Sequence, residues 1–458
     1  MPNAVNVVPV IDTSYSMTTN GYVAITQRDS SAFVSYARPG DGLGVVNYDT
    51  NGNVCFPFSV VDQNLTKPIA AAAAIQGLSF NGNNTAIGSG LQSAEAMLNA
   101  LANPRAIVLL SDGYQNYGPN PLSVLPSGYP VYACAMGANA DIALMQQIAQ
   151  QSGGAYYNAP YPSTMMFIFN QIRGQPSFVQ TVTNLLSPIQ AQGYQMISAP
   201  ISGVNTQAQF GVVWDDNALS YTNSSNPSAS QISITLVDPS GAISPLQPQI
   251  VGTGYVVFNA PTPQSGQWYI QVISGSPSVT IQVTSGAFEF PTNATEAAQL
   301  TLSVPDSIRA GEPLAVQAQV TEKGEPLPGL KIQAEVVQPT VSVASALAQY
   351  KDELKGIKLT KKDLTSAMPA DRLRLAKLRV KLLRKKDILA HRSYGLILNE
   401  GKKGLHSASV SDTRHAGSYN IRVVATGHSP AAGTAFQRTE LVTVLVNDKE
   451  ESSGRKAR

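Results

Sequence analysis

The sequence contains few of the residues that build zinc centres or nucleophilic triads. Its 458 residues include two cysteines, Cys55 and Cys134, and four histidines, all of them after residue 390. Zinc sites use mainly Cys and His ligands, and a Ser-His-Asp triad needs a histidine as its base. The part of the chain before residue 390 therefore offers neither a His/Cys zinc set nor such a triad.

Charged residues and long apolar runs are also scarce. Only 13% of the residues are charged and 43% are hydrophobic, which indicates a core-forming globular protein with a mainly neutral polar surface, as in many exported or particle-forming proteins. No apolar run approaches the roughly 18 residues that span a bilayer, and no basic and apolar leader begins the chain. We expect no transmembrane helix and no Sec signal. The protein would then be cytoplasmic, or extracellular or surface-bound if it is exported by another route or has lost an N-terminal segment.

Residues 5–17, VNVVPVIDTSYSM, form a short apolar run that ends in a hydroxyl-rich turn. The run predicts a buried parallel strand, and Asp12 lies where this strand leaves the sheet. The turn carries the pattern D-x-S-x-S, with Asp12, Ser14 and Ser16 at alternate positions. Pro9 lies inside the strand, and because proline cannot donate to a β-ladder we expect a local irregularity there.

Two later segments bring further oxygen donors. Residues 81–91, NGNNTAIGSGL, form a Gly/Asn-rich loop that enters a helix, with Thr85 at the entry. Residues 106–113, AIVLLSDG, form a second apolar strand that ends at Asp112. Ligands bind beside the carboxyl ends of strands in open parallel sheets, and two carboxylates there repel one another unless a cation lies between them. Carboxylate and hydroxyl oxygens predict Mg²⁺, with Ca²⁺ or Mn²⁺ as alternatives, rather than zinc.

This pattern resembles the metal-ion-dependent adhesion site of the von Willebrand factor type A domains, which combines D-x-S-x-S with a distant Thr and a distant Asp after a strand. The chain has the matching residue type at all five positions: Asp12, Ser14, Ser16, Thr85 and Asp112. The resemblance implies that the serines and Thr85 bind the metal directly and that the aspartates act directly or through water. It also implies that an acidic residue of a protein partner completes the octahedron. The alternative is a retained fold with a silent metal site.

Strand and helix patterns alternate through residues 1–174, which predicts a doubly wound, Rossmann-like α/β sheet. The order of elements resembles that of the type A domain throughout this region. In the type A strand order, Cys55 and Cys134 fall on opposite sides of the first strand. We therefore expect two free buried thiols, with a disulfide between them as the alternative.

After residue 174 the pattern changes to short alternating apolar runs between Pro, Gly, Asn and Ser clusters, which predicts two all-β sandwich domains. Residues 175–296 resemble the sandwich that follows the type A domain in chloride-channel-regulator-like proteins and many bacterial surface proteins. Trp214 and Trp268 are expected to fill its core, with ligand platforms as the alternative. Residues 297–447 resemble an immunoglobulin-like or fibronectin-like sandwich, and the charged tail 448–458 is expected to be disordered.

Residues 341–392 interrupt the second sandwich with a segment rich in Ala, Leu, Lys and Arg, which predicts a helical-hairpin insertion. We expect one helix over residues 345–357 and a longer one from Pro369 to about Ala390. Leu375, Leu378, Leu382 and Leu389 form an apolar stripe on the second helix. Residues 351–392 carry fourteen Lys and Arg against five Asp and Glu, a net charge of +9.

Three interpretations of this basic hairpin stay open. It presents a solvated basic face while its leucines pack on its own partner helix, or it docks to an acidic protein surface, or it binds nucleic acid or an anionic membrane. The long helix has no aromatic residue among its basic ones, which disfavours single-stranded nucleic acid. The candidate partner-binding residues are Lys377, Arg379, Lys381, Arg384, Lys385 and Lys386.

The sequence favours a metal-dependent protein-binding module, in which the sandwiches act as scaffold. The alternative function is a structural subunit of a larger particle or surface assembly, with contacts through sandwich edges and the basic hairpin. An enzyme is disfavoured, because no general base is apparent near the site besides the two ligand carboxylates. Partnership with an AAA+ ATPase is a further family analogy, and the oligomeric state is open.

Overall fold

The computed structural model describes residues 4–102, 104–112, 114–137, 140–174, 179–203, 205–293, 296–365, 368–383 and 385–448. Most of the predicted tail, from residue 449 onward, lies outside the described residues. Among the described residues, no helix combines the length and the apolar character needed to cross a membrane.

The first part of the chain is an α/β unit built on one sheet. Its strands are β1 (Asn6–Asp12), β2 (Gly42–Tyr48), β3 (Gly52–Val60), β4 (Arg105–Ser111), β5 (Val131–Met136) and β6 (Tyr156–Ala159). They lie in the order β3-β2-β1-β4-β5-β6, and only β3 runs antiparallel to its neighbour. The helices are α1 (Tyr15–Thr19), α2 (Val23–Ser35), α3 (Thr66–Gln76), α4 (Ile87–Leu98), α5 (Ile142–Ser152) and α6 (Met165–Gly174).

Helices cover both faces of this sheet. Phe33 of α2, Ile75 of α3 and Phe169 of α6 belong to one apolar core, whereas Leu91 of α4 and Ile148 of α5 belong to the core on the opposite face. Strands buried on both faces read as continuous apolar runs, which is the reason the sequence signal was clear. The predicted doubly wound α/β fold is confirmed.

The expected irregularity at Pro9 is present. Strand β1 is central and pairs with β4 through Pro9 and Val108, but its pairing with β2 skips Val8 and Pro9 between Val7 and Val10. The missing amide proton of proline is therefore accommodated by a gap in one ladder, while the strand keeps its central place.

Cys55 and Cys134 are both free thiols and lie in β3 and β5, on opposite sides of β1. Cys134 is buried, as expected. Cys55 is only half-buried, so the expectation of two buried thiols was wrong for this residue, because β3 is the edge strand of the sheet. Burial raises the pKa of Cys55 to about 11 and that of Cys134 to about 12. Both side chains therefore stay protonated and weakly nucleophilic at neutral pH.

The second part of the chain consists of two sheets. Its strands are β7 (Gln180–Ile189), β8 (Tyr194–Ile201), β9 (Asn205–Trp214), β10 (Ser220–Thr222), β11 (Gln231–Val237), β12 (Pro248–Gly252), β13 (Tyr255–Pro261), β14 (Gly266–Ser274) and β15 (Ile281–Pro291). They form the orders β10-β11-β14-β8 and β12-β13-β9-β15-β7. Trp214 and Trp268 lie in the apolar core that the two sheets share, and the indole N–H of each donates to a backbone carbonyl. The expectation that they fill the core is met.

The third part is a nine-stranded sheet that carries three helices. Its strands are β16 (Gln299–Ser303), β17 (Ser307–Arg309), β18 (Leu314–Glu322), β19 (Glu325–Pro326), β20 (Lys331–Pro339), β21 (His391–Glu400), β22 (Leu405–Val410), β23 (Gly417–Ser429) and β24 (Thr434–Asn447). The order is β16-β18-β22-β21-β20-β23-β24-β17, and β19 pairs with β18. Side chains of β18, β20 and β23 share one core, so the sheet folds over itself. An α/β unit followed by mainly β structure is thus confirmed.

The insertion between β20 and β21 contains α7 (Val343–Gln349), α8 (Lys351–Lys355) and α9 (Ala370–Leu382). The first predicted helix is split, because Tyr350 leaves helical geometry with φ −102° and ψ 21°. The second ends about eight residues early. Beyond it Asp387 pairs with Arg379 at 3.0 Å and accepts the Leu389 N–H, which folds the chain back.

The α/β unit packs directly on the outer face of the five-stranded sheet. Gly211 of β9 lies opposite Gly286 of β15, and the absence of side chains there admits Tyr36 and Asn170. A methyl group added at Gly211 would lie 1.8 Å from the Tyr36 hydroxyl oxygen. Tyr36 is only 1% exposed and cannot swing aside, so these glycines fix the contact between the two units.

We expect Gly211→Ala to lower the free energy of unfolding by about 2 kcal/mol, because overpacking a filled contact costs on the order of 1 to 3 kcal/mol. Urea denaturation followed by circular dichroism measures the change. The matched control is Gly395→Ala in β21, where an added methyl group meets nothing within 4 Å. Equal stability of the two variants would contradict the close contact.

Candidate metal centre

The turn after β1 presents a carboxylate and two hydroxyls to one another. The Asp12 side chain is fully buried, and its Oδ1 accepts the backbone N–H of Ser14 at 2.8 Å. The hydroxyl oxygens of Ser14 and Ser16 lie 2.8 Å apart. Ser14 immediately precedes α1, yet its side chain makes no capping hydrogen bond to that helix. Its hydroxyl therefore serves the turn rather than the usual capping role.

The loop that carries Thr85 is held against this turn by backbone pairing. The N–H of Tyr15 donates to the Gly82 carbonyl at 3.0 Å, and the N–H of Gly82 donates to the Thr13 carbonyl at 3.1 Å. Gly82 is required there, because an added methyl group would lie 2.2 Å from the Asp49 Cβ. Thr85 is 1% exposed and stands at the entrance of α4. The loop that carries Thr85 therefore packs against the serine turn, and the role of Thr85 as a metal ligand stays a prediction.

Asn116 fixes the backbone of Thr85. Its Oδ1 accepts the Thr85 N–H at 2.7 Å, and its own N–H donates to the Thr85 carbonyl at 3.1 Å. Asn116 lies four residues after Asp112, so this double contact ties the Thr85 loop to the loop after β4. The chain pattern offered no signal for Asn116, because the contact joins two irregular segments.

Strand β4 places Asp112 next to Asp12. The parallel register pairs Ile11 with Leu110, so the residues that follow each strand meet at the same edge of the sheet. The Ser111 hydroxyl donates to Asp12 Oδ2 at 2.7 Å and orients that carboxylate. The strand register could have identified Ser111 as a positioning residue, since it precedes Asp112 and faces the end of β1.

The Asp112 carboxylate is fully buried, and neither of its oxygens has a hydrogen-bond partner among the described residues. Burial, followed by the charge of Asp12, raises the pKa of Asp112 to about 7, although the Ser16 hydroxyl and the Tyr114 N–H, which lie near the carboxylate but outside hydrogen-bonding geometry, oppose the rise. Burial also raises the pKa of Asp12, against the hydrogen bonds from Ser14 and Ser111. Two buried carboxyl groups this close need a shared proton or a cation between them.

The chemistry of the five predicted donors suits a hard divalent cation. They consist of two carboxylates and three hydroxyls, and oxygen donors of this kind suit Mg²⁺, Ca²⁺ or Mn²⁺. Across the part of the chain that the structure describes, no group of three or more His, Cys, Asp and Glu side chains is arranged to hold a metal. The unpaired oxygens of Asp112 are the observation that a bound cation would explain, because buried carboxylates are otherwise hydrogen-bonded.

The basic residues proposed to bind a partner are used in different ways. Lys377 pairs with the buried Asp363 at 2.6 Å, and Arg379 pairs with Asp387 and lies 5.1 Å from the centre of the Tyr161 ring. Both are thus engaged within the chain. Lys381, Lys385 and Lys386 are exposed, Lys386 with its ammonium 5.1 Å from the Tyr350 ring, and Arg384 lies outside the described residues.

The predicted leucine stripe packs inside the insertion, although Leu389 lies beyond the end of α9. Leu375, Leu378 and Leu389 share a small apolar core with side chains of α7 and α8. This packing agrees with the first interpretation of the basic hairpin, in which the leucines cover its own partner helices.

A family model of the von Willebrand factor type A domain matches residues 6–171. No curated protein matches the sequence. Among solved structures, similar ones include a von Willebrand factor type A protein from Catenulispora acidiphila (14% identity, 71% of this chain and 64% of that chain, TM-score 0.36) and the pilus adhesin SpaC from Lactobacillus rhamnosus GG (12% identity, 97% and 56%, TM-score 0.34). A third is proximal thread matrix protein 1 from the mussel byssus, with zinc in its metal-ion-dependent adhesion site (18% identity, 41% and 50%, TM-score 0.32).

This chain spans between half and about two thirds of the length of those three structures. The segment that the family model matches is the α/β unit, with β1 at the centre of its sheet and helices on both faces. Residues 6–171 form a von Willebrand factor type A domain.

Proposed function

We propose that the type A domain binds one divalent cation through Asp12, Ser14, Ser16, Thr85 and Asp112, and that the bound cation grips an acidic side chain of a protein partner. Mg²⁺ is the proposed ion, with Ca²⁺ or Mn²⁺ as alternatives. The observation that carries this proposal is the pair of unpaired, buried oxygens of Asp112 beside Asp12. A role in binding, adhesion or assembly follows, rather than catalysis.

The residues of the site have separate tasks in this proposal. The hydroxyls of Ser14, Ser16 and Thr85 are neutral donors, and Asp12 and Asp112 supply the negative charge that balances a divalent ion. Ser111 and Asn116 position Asp12 and Thr85. The cation would supply a coordination position for the carboxylate of the partner. Because the two carboxylates contribute at most two negative charges and the other donors are neutral, the site carries no excess negative charge that would repel a further carboxylate.

The β structure acts as scaffold in this proposal. Helices α2 and α6 of the type A domain pack on β9 and β15 through the contact at Gly211 and Gly286, and Arg422 of β23 pairs with Glu335 of β20 while reaching the Asn184 carbonyl of β7. These contacts link the three parts of the chain. A partner held at the metal would therefore be held at a defined place relative to the sheets.

Isothermal titration with Mg²⁺ and Mn²⁺ tests the metal site directly. We expect one cation per chain in the wild type and roughly tenfold weaker binding in Thr85→Val, a loss of about 1.4 kcal/mol. The matched control is Thr66→Val, because Thr66 begins α3 after the antiparallel strand β3, at the opposite edge of the sheet. The absence of cation binding in the wild type would refute the proposal, and equal affinity of the two variants would remove Thr85 from the site.

A further inference from the structure

The insertion between β20 and β21 lies along the edge of the type A sheet where the metal donors stand. At one end it lies beside α1, the helix that begins at Tyr15 in the serine turn. Val380 of α9 approaches Gly21, two residues after that helix, where an added methyl group would lie 3.8 Å from the Val380 Cγ2. At the other end the His391 N–H donates to the Tyr161 hydroxyl at 2.7 Å, in the loop after β6. Strands β4 and β5 end between these two points.

A buried polar cluster fastens the insertion to α1. Asp363 is 1% exposed, and its carboxylate accepts the Thr360 N–H at 2.6 Å, the Thr360 hydroxyl at 2.7 Å and the Lys377 ammonium at 2.6 Å. The Thr19 hydroxyl of α1 completes the set by donating to Asp363 at 3.2 Å. A fully buried carboxylate with this many donors defines one docked geometry, because its desolvation is offset only when the donors are in place.

Two cations of the insertion face the surroundings of the metal site. The Lys362 ammonium lies 4.9 Å from the centre of the Tyr15 ring, and Tyr15 stands between the two serines of the site. The Arg372 guanidinium hydrogen-bonds the Tyr114 hydroxyl and attracts the Asp141 carboxylate. The N–H of Asp141 in turn donates to the Asp112 carbonyl at 2.9 Å. The docked insertion therefore places positive charge beside the turn after β1 and beside the loop after β4, which carry the proposed metal ligands.

The five donor residues are all 3% exposed or less. A carboxylate on a partner protein must reach the metal from outside, and the insertion lies across that edge. We infer that the helical insertion is a cap on the metal face of the type A domain, and that a partner gains access to the metal only when the insertion leaves α1. This inference rests on the proposed metal-dependent function.

The insertion is built to move as one piece. Its apolar core is internal to α7, α8 and α9, so undocking from α1 leaves that core intact. Its two ends meet at the sheet, where the Thr340 N–H donates to the Ala390 carbonyl at 2.9 Å and Pro339 pairs with His391. A body with its own core and adjacent ends pivots without unfolding β20 or β21.

Bound Mn²⁺ provides a probe that needs no partner, because each water molecule on the ion that exchanges with bulk solvent speeds the relaxation of water protons. The full chain is saturated with Mn²⁺ and the relaxivity of the bound ion is measured. We expect at least a twofold higher relaxivity in the double variant Thr19→Val, Lys362→Ala than in the wild type. The matched control is Lys385→Ala, which removes one exposed positive charge of the insertion and should keep the wild-type value.

A second variant guards against a folding defect in the first. Residues 341–389 are replaced by Asn-Gly, which closes a two-residue hairpin between Thr340 and Ala390. It should show the same rise in relaxivity. Bound Mn²⁺ with wild-type relaxivity in both variants would overturn the cap while leaving the metal site intact. Failure of the wild type to bind Mn²⁺ at all would instead overturn the proposed function.

Discussion

Raising the pH from 5 to 8 without divalent cations should lower the stability of the type A domain, and saturating Mg²⁺ should reverse that trend. The pKa of Asp112 is raised from 3.8 to about 7 by burial and by the charge of Asp12, so between these values the folded state binds more protons than the unfolded state. The stabilising contribution of the protonated form is complete below about pH 4 and is lost as the pH rises through 7. The two pKa units between pH 5 and 7 correspond to about 3 kcal/mol.

Mg²⁺ reverses the pH dependence of stability, because the cation takes the place of the proton between the two carboxylates. The cation binds the ionised carboxylates, so its stabilising effect grows as Asp12 and Asp112 lose their protons and is weakest at pH 5. Urea denaturation at four pH values measures how the free energy of unfolding changes with pH, once in EDTA and once with Mg²⁺. Circular dichroism near 222 nm is the suitable signal, since α1 to α6 lie in this domain while both tryptophans lie in the second part of the chain. An Mg²⁺ effect that is equal at pH 5 and pH 8 would contradict the assignment.

Asp112→Asn should weaken Mg²⁺ binding by at least about 100-fold and, in EDTA at pH 8, should make the protein more stable than the wild type. The substitution keeps the shape of the side chain and removes a charge that is buried, unpaired and next to Asp12. Removing one partner of a repelling buried pair relieves that repulsion, whereas the cation loses a charged ligand. Titration calorimetry and urea denaturation measure the two effects on the same samples.

The matched control for this substitution is Asp62→Asn, at the opposite edge of the sheet. The Thr66 hydroxyl lowers the pKa of Asp62 to about 2, so its ionised form stabilises the start of α3. Asp62→Asn should therefore destabilise the protein and leave its Mg²⁺ affinity unchanged, whereas Asp112→Asn should stabilise the protein in EDTA and weaken Mg²⁺ binding. A stability loss in Asp112→Asn comparable to that in Asp62→Asn would show that Asp112 is hydrogen-bonded in solution and free of strain.

Most of the type A domain could be predicted from the sequence because its signals are local. Asp12 and Asp112 each end an apolar run, and parallel strands bring their carboxyl ends to the same edge whatever the details of packing. Gly82 and the residues around Thr85 mark the loop that joins them. The strand register could also have identified Ser111. Asn116 could not be predicted in this way, because its contact with Thr85 joins two loops.

In the insertion, local sequence patterns predict the helices but not their exact bounds or contacts. Its composition predicted helices, but the kink at Tyr350 and the end of α9 at Leu382 depend on the pairing of Arg379 with Asp387 and on an internal core. From composition alone, the basic side chains form one candidate surface. Contacts over long sequence distances decided which of them are engaged, as with Lys377 and Asp363.

By itself the sequence determined the order of an α/β domain and mainly β structure, and it predicted five oxygen donors for one candidate metal site, because strand periodicity, turn residues and chain direction act over a few residues. Only the tertiary structure decided that Asp112 is buried without a hydrogen-bond partner among the described residues, that Cys55 is half-buried at a sheet edge, and that an insertion more than 300 residues away lies against α1. These features arise from burial and from contacts between distant segments, which no local pattern of side chains encodes.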